Sequence, residues 1–571
     1  MIPINHLLMN LIHLIGIKSN EYSLSTTRLL CASPCVPWHN SSDRKGYMRG
    51  KARAGFQKLV CLFVCTGLML TSATLSARTE PSQVRYVKAI YSMPLSFDPI
   101  QMNDVTSLLF SEMIYDGLLR ISNDYGYEGS LAESWTTSKD GRTLQFKLRG
   151  NSTFHNGDLI TSTDVVSSIS RAVSKDSKVY SLYDCIVGAT AFHTGHAKSV
   201  TGLKTVDSKT VEIDLIKPFP PIMYVLAGAT AKILPSRLLK NVHFFDSPIG
   251  SGPFRFVRKD FFGKNPTIVF KSVKNHPRFK GNIDEMILLA ADEGKARSLA
   301  LNGEVDDLAN YPLTGIEDVF KTGQHLSSVT AQTWIIGLNT RIAPFGNTDQ
   351  RIAFRSAFDT NDFRATFYPD AQEAFGYIPP GFPGYKSSAE KAMAAHPMKP
   401  SNLPVSVAVP DSLARSPEMA KYIEHQFASH GWNVKAKLMS WSNLMKGYQA
   451  KTLQAFLVSM NMDYPDSEFL LKNFESANPD NFSGINDTKI NRLLKSARAS
   501  SDRIEREGLY KLATNRVEDL SLSINLFHPR AHIWISKCVS GLVPNMLSDI
   551  YIDYASVRLS PGCGHSTVVA R

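Results

Sequence analysis

The sequence predicts a mixed α/β protein built from more than one domain. Three observations carry that prediction. A chain of 571 residues is too long to enclose in one hydrophobic core. Residues 405–438 read as strand, helix, strand, a unit that implies a parallel pair. Residues 140–260 are dominated instead by short strands and Gly/Pro turns. With 43% hydrophobic and 20% charged residues, the composition is that of an ordinary globular protein. There are no internal repeats and no low-complexity run.

The N-terminus reads as a targeting segment. Arg49, Lys51, Arg53 and Lys58 form a basic stretch, 59–70 is apolar, and small residues end at Ser76-Ala77. That order is the pattern of a cleaved secretory signal. The apolar run is short for spanning a bilayer. Met48 stands at a natural start just ahead of it. The division expected is an upstream extension over 1–47, a signal peptide over 48–77 and a mature chain from near Arg78. An unusually long basic region is the alternative for 1–47.

Cysteine and charge are consistent with export. Of seven cysteines, Cys31, Cys35, Cys61 and Cys65 lie in the removable part. Cys185, Cys538 and Cys563 remain, so at least one is unpaired unless it bridges chains. Val60 and Val64, rather than small residues, precede Cys61 and Cys65, which argues against lipid attachment. A free exported product needs an outer membrane to retain it, so the expected location is the periplasm. The formal charge is +12, but residues 1–77 carry eight Lys/Arg and two Asp/Glu, so +6 leaves with the leader. The rest is spread without a run or an interleaved aromatic patch, which argues against nucleic acid.

From 131 to 166 the elements follow closely. Asp140-Gly141 is a turn dipeptide. Leu144, Phe146 and Leu148 then alternate with polar residues as in a half-buried strand. His155-Asn156-Gly157 turns the chain again. Thr161, Ser162, Thr163 and Asp164 offer N-caps for a helix beginning near Val165. Further on, 293–301 reads as a helix stopped by Gly303. Val405, Val407 and Val409 alternate as a strand. Ser416-Pro417-Glu418 starts a helix with Ser as N-cap and Pro in the first turn. Met419, Ile423 and Phe427 give that helix an apolar stripe, and Gly431 ends it. Val434, Ala436 and Leu438 form the next strand.

The same stretch carries motifs. Leu131-Ala132 with Trp135, Asp140-Gly141, Phe146 with Leu148-Arg149, Phe154-His155 with Gly157, and Thr161 with Asp164-Val165 stand in order. Upstream are Ser96-Phe97-Asp98-Pro99 and Tyr115-Asp116-Gly117-Leu118. Downstream come Ile249-Gly250-Ser251-Gly252-Pro253-Phe254, Gly303-Glu304-Val305-Asp306, Gly337-Leu338-Asn339-Thr340, Ile378-Pro379-Pro380-Gly381 and Asp463-Tyr464-Pro465-Asp466. Each is weak alone. Together they resemble the family 5 extracellular solute-binding proteins, the oligopeptide and dipeptide receptors of bacterial ABC importers. The resemblance covers about 84–560.

It implies a periplasmic binding protein fold of two lobes joined by two crossovers, with ligand enclosed between them. Lobe one would hold 78–332, including an extra subdomain over about 101–246, and would receive 534–571 on the chain's return. Lobe two would be 333–533. The crossovers are expected near 334–340 and 528–534.

The resemblance also implies site residues. Asp463 matches the carboxylate that meets a peptide's ammonium group in peptide-binding members. An enclosed terminal charge must be paired. Asp466 or Ser467 would cap the helix that follows, and Asp463 lies too early to do so. Trp441 matches a cleft aromatic, able to wall a pocket while offering one N–H; core packing is the alternative. Met460 stands where many members carry Trp, and its flexible side chain suits varied apolar groups. Asn461 belongs to the same segment. Leu457 replaces a residue that is basic in some oligopeptide receptors. Tyr180 and Tyr183 lie where members place a tyrosine near the ligand backbone, and Tyr183 is the candidate. His193 and His196 near Cys185 read as solvated rather than metal-binding, and His155 as part of its turn.

Enzyme motifs are absent: there is no Gly-x-Ser-x-Gly, His-Glu-x-x-His or P-loop. The expectation is therefore a monomeric, cofactor-free receptor that captures peptide and delivers it to a membrane permease. The rivals are the same fold holding a sugar, an opine, a metal chelate or a cell-wall peptide, a chemosensory receptor, and a hydrolase.

Overall fold

The computed structural model describes residues 83–122, 126–309, 317–388, 399–462, 464–500, 502–563 and 565. The expected extension and signal peptide lie outside these residues. Among the described residues no helix is long and apolar enough to cross a membrane.

The first lobe is built on a four-stranded sheet in the order Arg85–Ile90, Glu285–Ala290, Asn265–Ser272, Phe254–Phe262. Its first pair is parallel and the others antiparallel. Alternation along the strands covers both faces. Tyr86, Ile90, Met286, Leu288, Ile268 and Phe270 face one core. Val87, Ala89, Ile287, Leu289 and Val269 face another. The C-terminal segment completes the first of these cores with Ile533, Ile535, Val539, Tyr554 and Val557. A disulfide between Cys538 and Cys563 ties this segment to itself. Among the described residues Cys185 is the remaining thiol, and burial pushes it up to about 12.

A subdomain occupies the middle of this lobe. Ala132–Thr137, Thr143–Leu148, Thr210–Asp214 and Leu203–Thr205 form an antiparallel sheet in that order. Leu144, Phe146 and Leu148 are buried as the alternation predicts. Gly141 and Gly157 adopt φ of 69° and 90°, which turns of this kind reserve for glycine. The following helix runs Ser162–Ala172 and so starts three residues before the expected Val165. The reason lies in its cap: Asp164 accepts from the Thr161 backbone N–H and hydroxyl at 2.9 and 2.8 Å.

The second lobe carries a six-stranded mixed sheet ordered Gln372–Glu373, Ser523–His528, Gln332–Leu338, Ala455–Asn461, Val405–Pro410, Val434–Met439. The last three are mutually parallel. The helix Ser416–Ser429 crosses between the final two and buries Met419, Ile423 and Phe427. Ser416 is not its N-cap. Arg415 takes that position with φ 60°, and the Ser416 hydroxyl instead donates to the Pro410 carbonyl at 2.7 Å.

Two short links join the lobes. The strand Gln324–Val329 pairs antiparallel with Arg530–Ile535, and Gln332–Leu338 pairs antiparallel with Ser523–His528. Thr330-Ala331 and Pro529 are therefore the passages between sheets. The Thr330 N–H and hydroxyl donate to the Pro529 carbonyl at 2.9 and 3.0 Å, which laces the two links together. Trp334 to Leu338, expected within a crossover, is already strand of the second sheet.

Candidate functional site

The region implied by the motifs lies where second-lobe chain meets the first lobe. The strand Ala455–Asn461 alternates its side chains between two cores. Phe456, Val458 and Met460 turn to one, and Ala455 and Leu457 to the other. Met460 is buried in the first of these. Asn461, at the strand's end, is exposed and accepts from the Ser459 hydroxyl at 2.6 Å.

The helix Trp441–Gln449 packs onto the Met460 face through Leu444, Met445 and Tyr448. The Ser440 side chain caps it, and Trp441 sits at its first position with 47% of its surface exposed. Trp441 is thus available to a partner, and its helix shares a core with Met460. Leu457 is buried in the opposite core.

Asp463 lies outside the described residues, but its neighbours are informative. Met462 is buried in the second-lobe core that holds Met460. Tyr464 is buried in the subdomain core of the first lobe. Met462 and Tyr464 thus stand in the cores of different lobes, and the seam lies between those cores. Phe469 packs against both cores, and Tyr551 touches them as well as the core of the first sheet.

A buried ionic strip follows. Ser467, not Asp466, takes the N-cap position of the helix Glu468–Leu471, while Asp466 accepts from the Glu468 N–H at 2.9 Å and lies 3.7 Å from Arg506. Burial pushes the Asp466 carboxyl up to about 6, against the pull of Arg506. Glu468 pairs with Arg498 at 2.8 Å and accepts from the Tyr464 hydroxyl at 2.7 Å. Arg498 also holds Glu475 at 2.7 Å. Paired buried charges of this sort contribute little net stability, because desolvation offsets their attraction. Across the seam, burial raises the Tyr224 hydroxyl to about 12, with Asp466 adding to the shift. Tyr127 stands edge-on to Tyr224 with ring centroids 5.0 Å apart.

Tyr183 is placed differently from the other candidates. It is fully buried in the subdomain core, the cluster that also contains Tyr464, and presents no surface to a ligand. Burial raises its hydroxyl far above the usual range. Tyr180 stacks on His193, whose Nδ1 lies 3.0 Å from the Ser174 carbonyl. Among the described residues no group of three side chains could hold a metal ion. The residues missed from sequence are Tyr127, Tyr224, Tyr551, Arg498 and Arg506. They are single residues in ordinary contexts, with no motif to mark them.

The model of the bacterial extracellular solute-binding proteins, family 5, matches residues 126–482. The chain belongs to that family. The dipeptide-binding protein DppE of Bacillus subtilis is 24% identical over 520 residues, covering 84% of this chain and 93% of DppE. Among solved structures, the unliganded open form of the periplasmic murein tripeptide-binding protein MppA superposes with a TM-score of 0.74. It has 17% identity and covers 84% of this chain and 97% of MppA. AgaA of A. tumefaciens in complex with agropinic acid has a TM-score of 0.63 at 23% identity, covering 84% and 99%. The fold is accordingly the two-lobed periplasmic binding protein fold, in which the seam just described lies between lobes.

Proposed function

We propose that this protein captures a peptide between its lobes and delivers it to the membrane permease of an ABC importer, catalysing nothing itself. The observation that carries the reading is the seam at 462–464. Met462 and Tyr464, in the cores of different lobes, flank Asp463, which supports a ligand contact at that residue. Asp463 would pair with the ammonium end of the peptide. Trp441 would wall a side-chain pocket, with Met460 and Asn461 in its floor and rim. Backbone recognition tolerates varied sequences, because every peptide presents the same N–H and C=O pattern. DppE is named for dipeptide binding, which supports this class of ligand. Export by a cleaved signal over 48–77, a periplasmic location and a monomeric state complete the proposal.

A second reading keeps the fold and changes the solute. The AgaA complex holds agropinic acid, so the architecture is compatible with a non-peptide ligand. Mass spectrometry of ligand released from protein purified under native conditions decides between them. Peptide masses with free amino termini support the first reading. A single non-peptide solute, or turnover of bound ligand, overturns it.

A further inference from the structure

A cavity of about 600 Å³ lies inside the first lobe, where the subdomain meets the first sheet. Its walls come only from residues 116–157 and 251–278, so it is separate from the seam at 462–464. Its size falls within the range of about 300–1,000 Å³ usual for small-molecule sites.

The walls are basic. Arg149, Arg255, Lys274 and Arg278 line the cavity against one carboxylate, Asp116. That carboxylate is already engaged. It accepts from the Ser130 hydroxyl at 3.0 Å and lies 3.0 Å from His276 Nε2 and 3.4 Å from Arg278 Nη2. Burial opposes its ionisation, but Arg278 and His276 hold it well below the usual carboxylate range. Lys274 is paired with Asp284 at 2.9 Å.

The three guanidiniums are less well matched. Arg255, exposed on the strand Phe254–Phe262, makes no ion pair among the described residues. Arg149 donates from Nε to the Ser130 carbonyl at 2.8 Å and likewise has no carboxylate within ion-pair distance among them. Arg278 Nε is buried and has no acceptor among the described residues. A buried donor without a partner is costly and uncommon in native structures. A guanidinium presents its donors as a planar fork that matches an oxyanion.

We propose that this cavity is a second ligand site, taking a small phosphorylated solute whose oxyanion is held by Arg149, Arg255 and Arg278. The surplus of positive charge favours a group carrying about two negative charges, as a phosphate monoester does, over a single carboxylate. Asn151, Ser152, Thr153 and Asn275 line the remaining wall and suit a hydroxyl-bearing body. The site does not depend on what the seam between the lobes binds.

Titration calorimetry of the full mature chain with glycerol 3-phosphate and with pyrophosphate tests the proposal, with ionic strength held constant by sodium chloride. Saturable one-to-one binding above the chloride control is expected. Arg255→Gln, at an exposed position outside the cores, should weaken it about tenfold or more. Arg278→Lys, which keeps the charge and loses the fork, should weaken it too. Because Arg278 also holds Asp116, the Arg255 variant is the deciding one. Absence of saturable binding, or equal affinity in Arg255→Gln and the parent, overturns the site. Sedimentation with phosphatidylglycerol vesicles separates a free solute from a lipid headgroup. Vesicle binding without affinity for the soluble phosphates also overturns the assignment.

Discussion

At Asp463 the proposed contact with a peptide's ammonium group makes a quantitative demand. Asp463→Ala leaves that charge unpaired in an enclosed cleft, which typically costs about 2–5 kcal/mol. Binding should therefore weaken roughly thirty-fold to several thousand-fold. An N-acetylated peptide should lose affinity for the parent protein by a similar factor. The two losses should not add, because both remove one contact. Calorimetric titration of both proteins with both peptides checks this, and equal affinities across the set remove Asp463 from the site. A second residue-scale prediction concerns Lys88, which is fully buried with its Nζ 2.6 Å from Asp307. Asp307 also accepts from the Tyr86 hydroxyl at 2.7 Å and the Ala309 N–H at 3.0 Å. Lys88→Met strands a buried carboxylate and should destabilise the protein by about 3–5 kcal/mol in urea unfolding. The double variant Lys88→Met/Asp307→Asn should recover part of that loss. If the double variant is as unstable as the single one, the cost lies in packing rather than in the stranded charge.

Among the elements, the strand Ser523–His528 brings a titrating group to the hinge. His528 is fully buried beside Pro529, its Nδ1 3.1 Å from the Gln332 carbonyl. Burial pushes its pKa down to about 4. Above about pH 6.5 the ring is neutral in both the folded and unfolded chain and adds no pH dependence. As pH falls from about 6.5 towards 4, the unfolded chain binds a proton that the folded one refuses. Stability should drop across that window, by about 3 kcal/mol at its foot. His528→Asn should flatten this part of the profile, measured by urea unfolding at several pH values, and an unchanged slope would remove His528 as its source. Elements were legible in the sequence where their signals were local. The unit 405–439, the strand Thr143–Leu148 and the helix Glu293–Leu301 all follow from periodicity and turn residues. Starts were less legible. Thr161 and Asp164 close a box that begins the helix early, and Arg415 adopts a left-handed conformation that propensity assigns to other residues. Apart from the parallel pair of Val405–Pro410 with Val434–Met439, which the strand–helix–strand pattern implied, the sheet pairings were not legible from periodicity. Arg85 pairs with Glu285 and Val329 with Arg530, across about two hundred residues that no local pattern links. For the same reason the seam's aromatic and arginine residues carried no signal, and Tyr183, a candidate that lies fully inside a core, looked no different in sequence from its neighbours.

For the whole molecule, two lobes on two laced links should move as bodies about a hinge when ligand binds. Small-angle scattering with saturating peptide should give a smaller radius of gyration than the free protein. An unchanged radius, with binding verified on the same sample, argues against closure. The path of the chain has another consequence, for the order in which the protein is completed. Every strand of the second lobe's sheet has been made once residue 528 emerges. The core beneath the first sheet still lacks Ile533, Ile535, Val539, Tyr554 and Val557 at that moment. The lobe that begins the chain is therefore the last to be finished. A newly made molecule that stops short of its final forty residues would hold a second lobe able to fold beside a first lobe with an open core. Such truncated products should be the ones that proteases and chaperones recognise.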